Sequence, residues 1–112
     1  MKIVKLTQCN FTRREDMDFN DDGNKFKGYQ YKGIPATYTK WQDMTFIAFR
    51  YDYGNSEIYE KFCNLTDEEK QEVRDLFNEF NGVETESISK EEIIDWAEQC
   101  YKLAIAKQLI EK

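Results

Sequence analysis

Carboxylates are the most abundant reactive groups in this sequence. Its 112 residues include 22 Asp and Glu and no histidine. Histidine is the commonest general base near neutral pH and the commonest metal ligand, so its absence excludes Ser-His-Asp and Cys-His sites and His-metal centres. Paired carboxylates can supply an acid and a base, but among so many acids some lie close together in any fold. We therefore expect no catalytic residues and no enzyme.

Phosphate-binding loops and cofactor motifs are missing as well. The five glycines are scattered and form neither a GxxxxGK[ST] loop nor a GxGxxG turn. Cys9, Cys63 and Cys100 are widely spaced and include no CxxC pair. An odd number of cysteines at such spacings suggests neither a disulfide framework nor a zinc site. We expect no cofactor and no bound metal.

One short segment resembles part of a calcium-binding loop. Asp18, Asn20 and Asp22 match its first, third and fifth positions, and Gly23 matches the sixth. The twelfth position requires a bidentate glutamate and is Tyr29 here. Asp-Gly and Gly-Asn pairs also favour tight turns, so we interpret the segment as a polar hairpin tip. Calcium binding is the open alternative.

The charge is divided unevenly between the two halves of the chain. Residues 1–56 hold nine Lys and Arg against seven Asp and Glu, whereas residues 57–112 hold seven against fifteen. An acidic field of this kind attracts basic surfaces and speeds encounter with them. The main alternative is a solvated acidic face that only keeps the protein soluble.

Our leading hypothesis is a small acidic intracellular binding or inhibitor protein. It would engage a basic, nucleic-acid-handling protein as a nucleic-acid mimic, in the manner of anti-restriction, anti-CRISPR or immunity proteins of phages and mobile elements. The candidate contact residues are the acids of one predicted helix and of the loop that follows it: Glu68, Glu69, Glu72, Asp75, Glu79, Glu84 and Glu86.

Two other functions compete with this hypothesis. Basic and aromatic residues interleave in the first half of the chain, a pattern typical of single-strand nucleic-acid binding. These residues are Lys25, Lys27, Lys32, Lys40, Arg50, Phe26, Tyr29, Tyr31, Tyr38, Trp41 and Tyr51. A pI near 4.7 makes nucleic-acid binding an unfavourable prediction. The third possibility is a phage or mobile-element assembly subunit that forms a homodimer through a wide apolar helix at residues 93–110.

The first half of the chain has the composition of a β-sheet. β-branched and aromatic residues predict strands at residues 3–9, 26–32, 36–42 and 44–53. We expect Gly33-Ile34-Pro35 to interrupt the sheet and residues 36–42 to lie at an edge or half exposed. Apolar residues on both faces near Met44 predict that the fourth strand is central.

The second half has the signals of helices. Residues 56–63 predict a short helix, and Thr66 with Glu69 forms a capping box that starts a second one. Its apolar stripe runs to Phe80, and Asn81-Gly82 predicts its C-terminal stop. Ser89 caps the last helix.

We therefore predict one α+β domain spanning residues 1–112. An antiparallel sheet of about four strands in residues 1–55 would pack against two to three helices in residues 56–112. No stretch approaches the roughly 18 apolar residues that a membrane span requires, and the first ten residues lack an apolar signal core. We expect a cytoplasmic protein with no membrane association.

Overall fold

The computed structural model describes residues 5–51 and 57–111 and confirms the α+β class. The strands are β1 (Thr12–Arg13), β2 (Phe19–Asp21), β3 (Asn24–Tyr31), β4 (Ile34–Trp41), β5 (Met44–Phe49) and β6 (Phe80–Glu84). The helices are α1 (Glu57–Cys63), α2 (Asp67–Phe77) and α3 (Lys90–Ala106). Short 3₁₀ turns occupy Leu6–Cys9, Glu15–Met17 and Thr85–Ser87.

All strand pairs in the described residues are antiparallel, in the order β1-β3-β4-β5-β6, and β2 pairs with β3 off this path. Tight turns connect β2 to β3, β3 to β4 and β4 to β5, each with a residue at positive φ: Asp22, Lys32 and Gln42. The Asp22-Gly23 turn confirms the predicted hairpin tip. The predicted central position of the fourth strand is also confirmed, because β5 lies between β4 and β6.

Several strand predictions were wrong in detail. Residues 3 and 4 of the predicted first strand lie outside the described residues. Within the described residues 5–9, Leu6–Cys9 form a 3₁₀ turn whose Leu6 and Cys9 are buried. Only Lys32-Gly33 interrupts the sheet, because Ile34 and Pro35 already belong to β4. This strand is internal and not an edge, since β3 and β5 flank it. Pro35 has no N–H to donate, but its carbonyl oxygen accepts a hydrogen bond from the Arg50 N–H at 2.8 Å.

The second half contains a strand that the sequence did not predict. α2 ends at Phe77, and Phe80–Glu84 then pairs with β5 as the sixth strand. Asn81-Gly82 therefore lies inside a strand, where Gly82 has a φ of +79° next to a register shift between Thr45 and Phe46. The last helix also ends earlier than predicted, at Ala106.

The helices cover one face of the sheet and enclose the core there. Ile34, Ala36, Ile47 and Phe49 point from the strands into a cluster that α1, α2 and α3 complete. The predicted stripe of α2 contributes buried Val73 and Phe77 and half-buried Leu76. The Trp96 indole of α3 packs on Phe49 at 4.8 Å between ring centroids and donates a hydrogen bond to the Leu76 carbonyl. These contacts fix α2 and α3 relative to the sheet.

Candidate functional site

The exposed side of α2 carries a row of carboxylates. Val73 and Phe77 are buried, so residues on the opposite side of the helix point to solvent. Glu68, Glu72 and Asp75 lie there, at helical spacings of four and three, and all are exposed. Glu79 extends the row, because its N–H still bonds to the Leu76 carbonyl at 3.3 Å after the helix has ended. We call these four residues the acidic stripe.

Glu69, the fifth predicted contact on this helix, points elsewhere. Its carboxylate accepts a hydrogen bond from the Thr66 N–H at 3.1 Å, and the Thr66 hydroxyl accepts one from the Glu69 N–H at 3.2 Å. This is the capping box that the sequence predicted. The Thr66 contacts, with help from Lys107, lower the pKa of Glu69. This side chain starts the helix and is not part of the exposed row.

Lys107 forms an ion pair with one residue of the stripe, Glu72, and with the capping residue Glu69. Its ammonium group lies 3.1 Å from Glu72 and 3.5 Å from Glu69. The hydrogen bond to Glu72 is the main reason that the pKa of Lys107 is raised. Asp75 instead accepts a hydrogen bond from the Gln71 amide at 2.7 Å. Among the described residues, the ion pairs include no cation bound to Glu68, Asp75 or Glu79.

The last two predicted contacts, Glu84 and Glu86, lie at the other end of β6. They line a separate cleft of about 250 Å³ together with Lys40, Asp43 and Thr85. Because β6 runs away from the C-terminal end of α2, the structure does not bring these two acids into the stripe. The predicted set of seven therefore separates into an exposed row, a capping residue and a distant pair.

The opposite face of the sheet carries a groove that the sequence analysis did not identify. In β4 and β5, side chains alternate between the two faces, so Thr37 and Ala48 point away from the helices. A groove of about 420 Å³ opens on this face. It is lined by Asn24, Phe26, Thr37, Thr39, Trp41, Phe46, Ala48, Phe49, Arg50, Tyr51, Asn78 and Asn81.

One part of this second face is closed by the segment between β1 and β3. A Cβ atom on Gly28 would overlap the Met17 side chain and lie 2.5 Å from the Arg14 carbonyl, so only glycine permits this approach. The segment is held by Arg13, whose guanidinium donates two hydrogen bonds of 2.7 Å to the Asp18 carboxylate. The Gly28 N–H donates a third to the same carboxylate at 2.8 Å.

These contacts account for Asp18 without a metal ion. Both of its carboxylate oxygens are occupied, and the Arg13 hydrogen bonds hold its pKa well below its usual range. Asn20 and Asp22 belong to β2 and to the hairpin turn. Within residues 5–51 and 57–111, no group of three or more acidic or cysteine side chains is arranged to hold a metal ion.

The basic and aromatic residues proposed to grip a single strand are divided by the sheet. Lys25 and Lys27 share the helix-bearing face with half-buried Tyr29, whereas Phe26 and Trp41 lie on the groove face. Tyr31 is only 1% exposed, and its hydroxyl donates a hydrogen bond to Glu98. The other proposed residues lie on both faces of the sheet or in turns, so the set does not form one continuous nucleic-acid-binding surface. These residues are Lys32, Lys40, Tyr38, Arg50 and Tyr51.

Most of the apolar residues of α3 pack within the chain. Ile93, Trp96, Ala97, Cys100 and Ala104 are buried against the sheet, α2 and the Leu6–Cys9 turn. The large apolar side chains that are exposed in the described structure are Trp41, at 51%, and Tyr59, at 42%. Neither belongs to α3, whose Ile94, Tyr101, Leu103 and Ile105 are half-buried.

Comparison with protein-family models, curated proteins and solved structures finds no match for this chain. Among the helices that the structure describes, none is both long and apolar enough to cross a membrane.

Proposed function

We propose that this chain is an acidic binding protein that engages, and thereby inhibits, a basic protein that handles nucleic acid. The acidic stripe is the observation that supports the proposal. It presents several carboxylates in a row on a helix whose other side is locked into the core by Val73 and Phe77. A fixed row of like charges is already organised for a complementary basic surface.

The helix geometry supports the choice of partner. A rise of about 1.5 Å per residue places Glu68 and Glu72 about 6 Å apart along the helix and Glu68 and Asp75 about 10 Å apart. Proteins that bind nucleic acid carry Lys and Arg along a groove that follows a regular row of phosphates. A rigid row of carboxylates can occupy such a groove in place of the phosphates.

The net charge of the molecule favours the same class of partner. At −6 the protein repels nucleic acid itself and attracts cationic surfaces. Lys107 offsets the charge of Glu72, so the strongest attraction is expected from Glu68, Asp75 and Glu79. An interaction of this kind is weakened by salt, because exposed charges are screened over about 8 Å at physiological ionic strength.

The test compares two triple variants with the same change in net charge. Glu68→Gln/Glu72→Gln/Asp75→Asn removes most of the stripe, and Glu57→Gln/Glu60→Gln/Asp95→Asn removes three exposed carboxylates elsewhere on the helices. Each protein is immobilised and used to capture partners from lysate of the source cell at low and high salt. We expect the wild type and the control variant to retain a basic partner at low salt and the stripe variant to lose it.

The captured protein is then purified, and its binding is measured directly. If it is blocked as proposed, a DNA or RNA oligonucleotide should displace it, and addition of the acidic protein should reduce its nucleic-acid binding or cleavage. Equal retention by the stripe variant would contradict the proposal. Equal loss by both variants would indicate a response to net charge alone and would also contradict it.

A further inference from the structure

The C-terminal end of α3 fixes the position of Lys107. This residue caps the helix, and the next residue, Gln108, has a φ of +61°. The Leu109 N–H bonds to the Ala104 carbonyl at 2.8 Å. The Gln108 N–H bonds to the Ile105 carbonyl at 3.0 Å, which completes the hydrogen-bond pattern of a Schellman motif. Because Leu109 is 1% exposed, this turn is anchored in the core and holds the backbone of Lys107 in place.

The turn brings the Lys107 ammonium group onto two carboxylates of α2. Glu69 accepts the capping bond from the Thr66 N–H on its Oε1 and presents its Oε2 to Lys107. Glu72, about one turn further along the helix, presents its Oε2 at 3.1 Å. These two oxygens form a site for an ammonium group, and a lysine of the chain itself occupies that site.

The contact is covered on the side of Lys107 and open on the side of Glu72. The Lys107 side chain is 19% exposed, whereas that of Glu72 is 53% exposed. Partial burial reduces the screening of the ion pair by salt, so the pair persists in the free protein. The exposed side of Glu72 nevertheless leaves room for a cation that approaches from solvent.

Lys107 has other favourable surroundings when it leaves Glu72. A cleft of about 590 Å³ at the end of α3 is lined by Lys107 and Gln108 and also by the carboxylate-bearing residue Glu111. The negative end of the α3 dipole lies at the same place and favours a positive charge there. Displacement therefore does not leave the Lys107 ammonium group without favourable electrostatic interactions.

We propose that Lys107 is an autoinhibitory residue that occupies Glu72 and Glu69 in the free protein and is displaced by a Lys or Arg side chain of the basic partner. This inference rests on the proposed function and adds a competing contact to the acidic stripe. Displacement frees Oε2 of Glu72 and Oε2 of Glu69, which the capping box keeps in position. A surface that places no cation at Glu72 gains nothing from this part of the stripe, so the contact favours partners whose basic residues match the row.

Displacement can be measured directly on the wild-type chain. A hexalysine peptide with blocked ends is titrated at low salt into the full chain labelled with ¹³C and ¹⁵N. The amide signals of α2 and the side-chain Cε–Hε signals of Lys107 are followed together. We expect the peptide to shift the α2 amides around Glu72 and to move the Lys107 side-chain signals at the same peptide concentrations. The side-chain signals of Lys102, which is exposed on α3, serve as the control.

Matched variants measure how strongly Lys107 competes. Lys107→Gln and Lys102→Gln each remove one positive charge and change the net charge from −6 to −7, but only Lys107 pairs with Glu72 in the wild type. We expect Lys107→Gln to bind the peptide about two- to fivefold more tightly than Lys102→Gln, because the peptide no longer has to break an ion pair. Lys107→Arg keeps the charge and should bind like the wild type. Dispersed amide spectra verify that each variant is folded.

The outcomes separate this inference from the proposed function. Shifts in α2 without movement of the Lys107 side-chain signals would overturn the displacement and leave the attraction of basic surfaces intact. Equal affinities of Lys107→Gln and Lys102→Gln would have the same meaning. No shifts in α2 with the wild type or any variant would contradict the proposed function as well. If Lys107→Gln does not fold, the side-chain signals of the wild type decide.

Discussion

Asp18 shows how one side chain secures a region with little regular secondary structure. The segment between β1 and β3 contains only short turns and strands, yet it covers part of the groove face because Met17 is packed against Gly28. The Asp18 carboxylate holds this arrangement by accepting hydrogen bonds from Arg13 and from the Gly28 N–H. The Asp18 carboxylate accepts hydrogen bonds both from the charged Arg13 guanidinium and from a backbone N–H. We therefore expect this ion pair to be stronger than an isolated ion pair on the surface.

We predict that Asp18→Asn destabilises the protein in a pH-dependent way. The pKa of Asp18 is lowered in the folded state, chiefly by the hydrogen bonds from Arg13. Its folded form therefore binds fewer protons, and the contribution to stability is complete above about pH 4 and is lost as the pH falls below that value. Urea unfolding at neutral and acidic pH should show that the variant is less stable at pH 7 and that its difference from the wild type becomes smaller as the pH falls below 4.

Asp16→Asn is the control for this comparison. Asp16 also pairs with an arginine, Arg14, at 2.8 Å, but its side chain is 65% exposed. Exposed pairs contribute little to stability, so we expect almost no change at any pH. An equal effect of the two substitutions would show that Asp18 acts as an ordinary surface charge.

At the scale of elements, the starts of α2 and α3 were predictable because local chemistry determines them. Thr66 and Ser89 cap their helices as expected, each accepting a hydrogen bond from the N–H three residues ahead. β6 was not predictable in this way. Five residues with a glycine at positive φ lack a strand pattern, and their pairing depends on β5, more than thirty residues earlier in the chain.

The first predicted strand failed for a related reason. Residues 6–9 have strand-like composition, but the edge position beside β3 is taken by Thr12–Arg13. Leu6 and Cys9 instead turn inward and pack in the core near α3. Leu6 and Cys9 are therefore both buried, but in a 3₁₀ turn and not in the predicted strand.

We predict that Thr66→Ala costs about 1 kcal/mol of unfolding free energy, the usual value for loss of an N-cap hydroxyl. Thr66→Ser keeps the hydroxyl and should recover most of the loss. Chemical denaturation of the three proteins measures both values. If the serine variant is as unstable as the alanine variant, the Thr66 methyl group and not the capping box accounts for the effect.

At the scale of the whole molecule, the sequence indicated which half of the chain is acidic but not which acidic residues lie on the same surface. Helical spacing placed Glu68, Glu72 and Asp75 on one side, and the structure agrees. The separation of Glu84 from them depends on β6, which was not foreseen. The groove could not be predicted because Phe26, Trp41 and Phe46 come from three strands, and only the register shows that they share a face.

We predict that the free protein is monomeric. Ile93, Trp96, Ala97, Cys100 and Ala104 of α3 are buried within the chain, and a net charge of −6 makes two copies repel each other. Stable homodimers bury extensive and largely apolar areas, whereas the exposed large apolar residues described here are Trp41 and Tyr59, on different elements. Sedimentation velocity from low to high micromolar concentration should give one species with the monomer mass at physiological salt. A dimer that disappears in Trp41→Ala would show that the groove binds a second copy, whereas one that persists would restore the α3 interface.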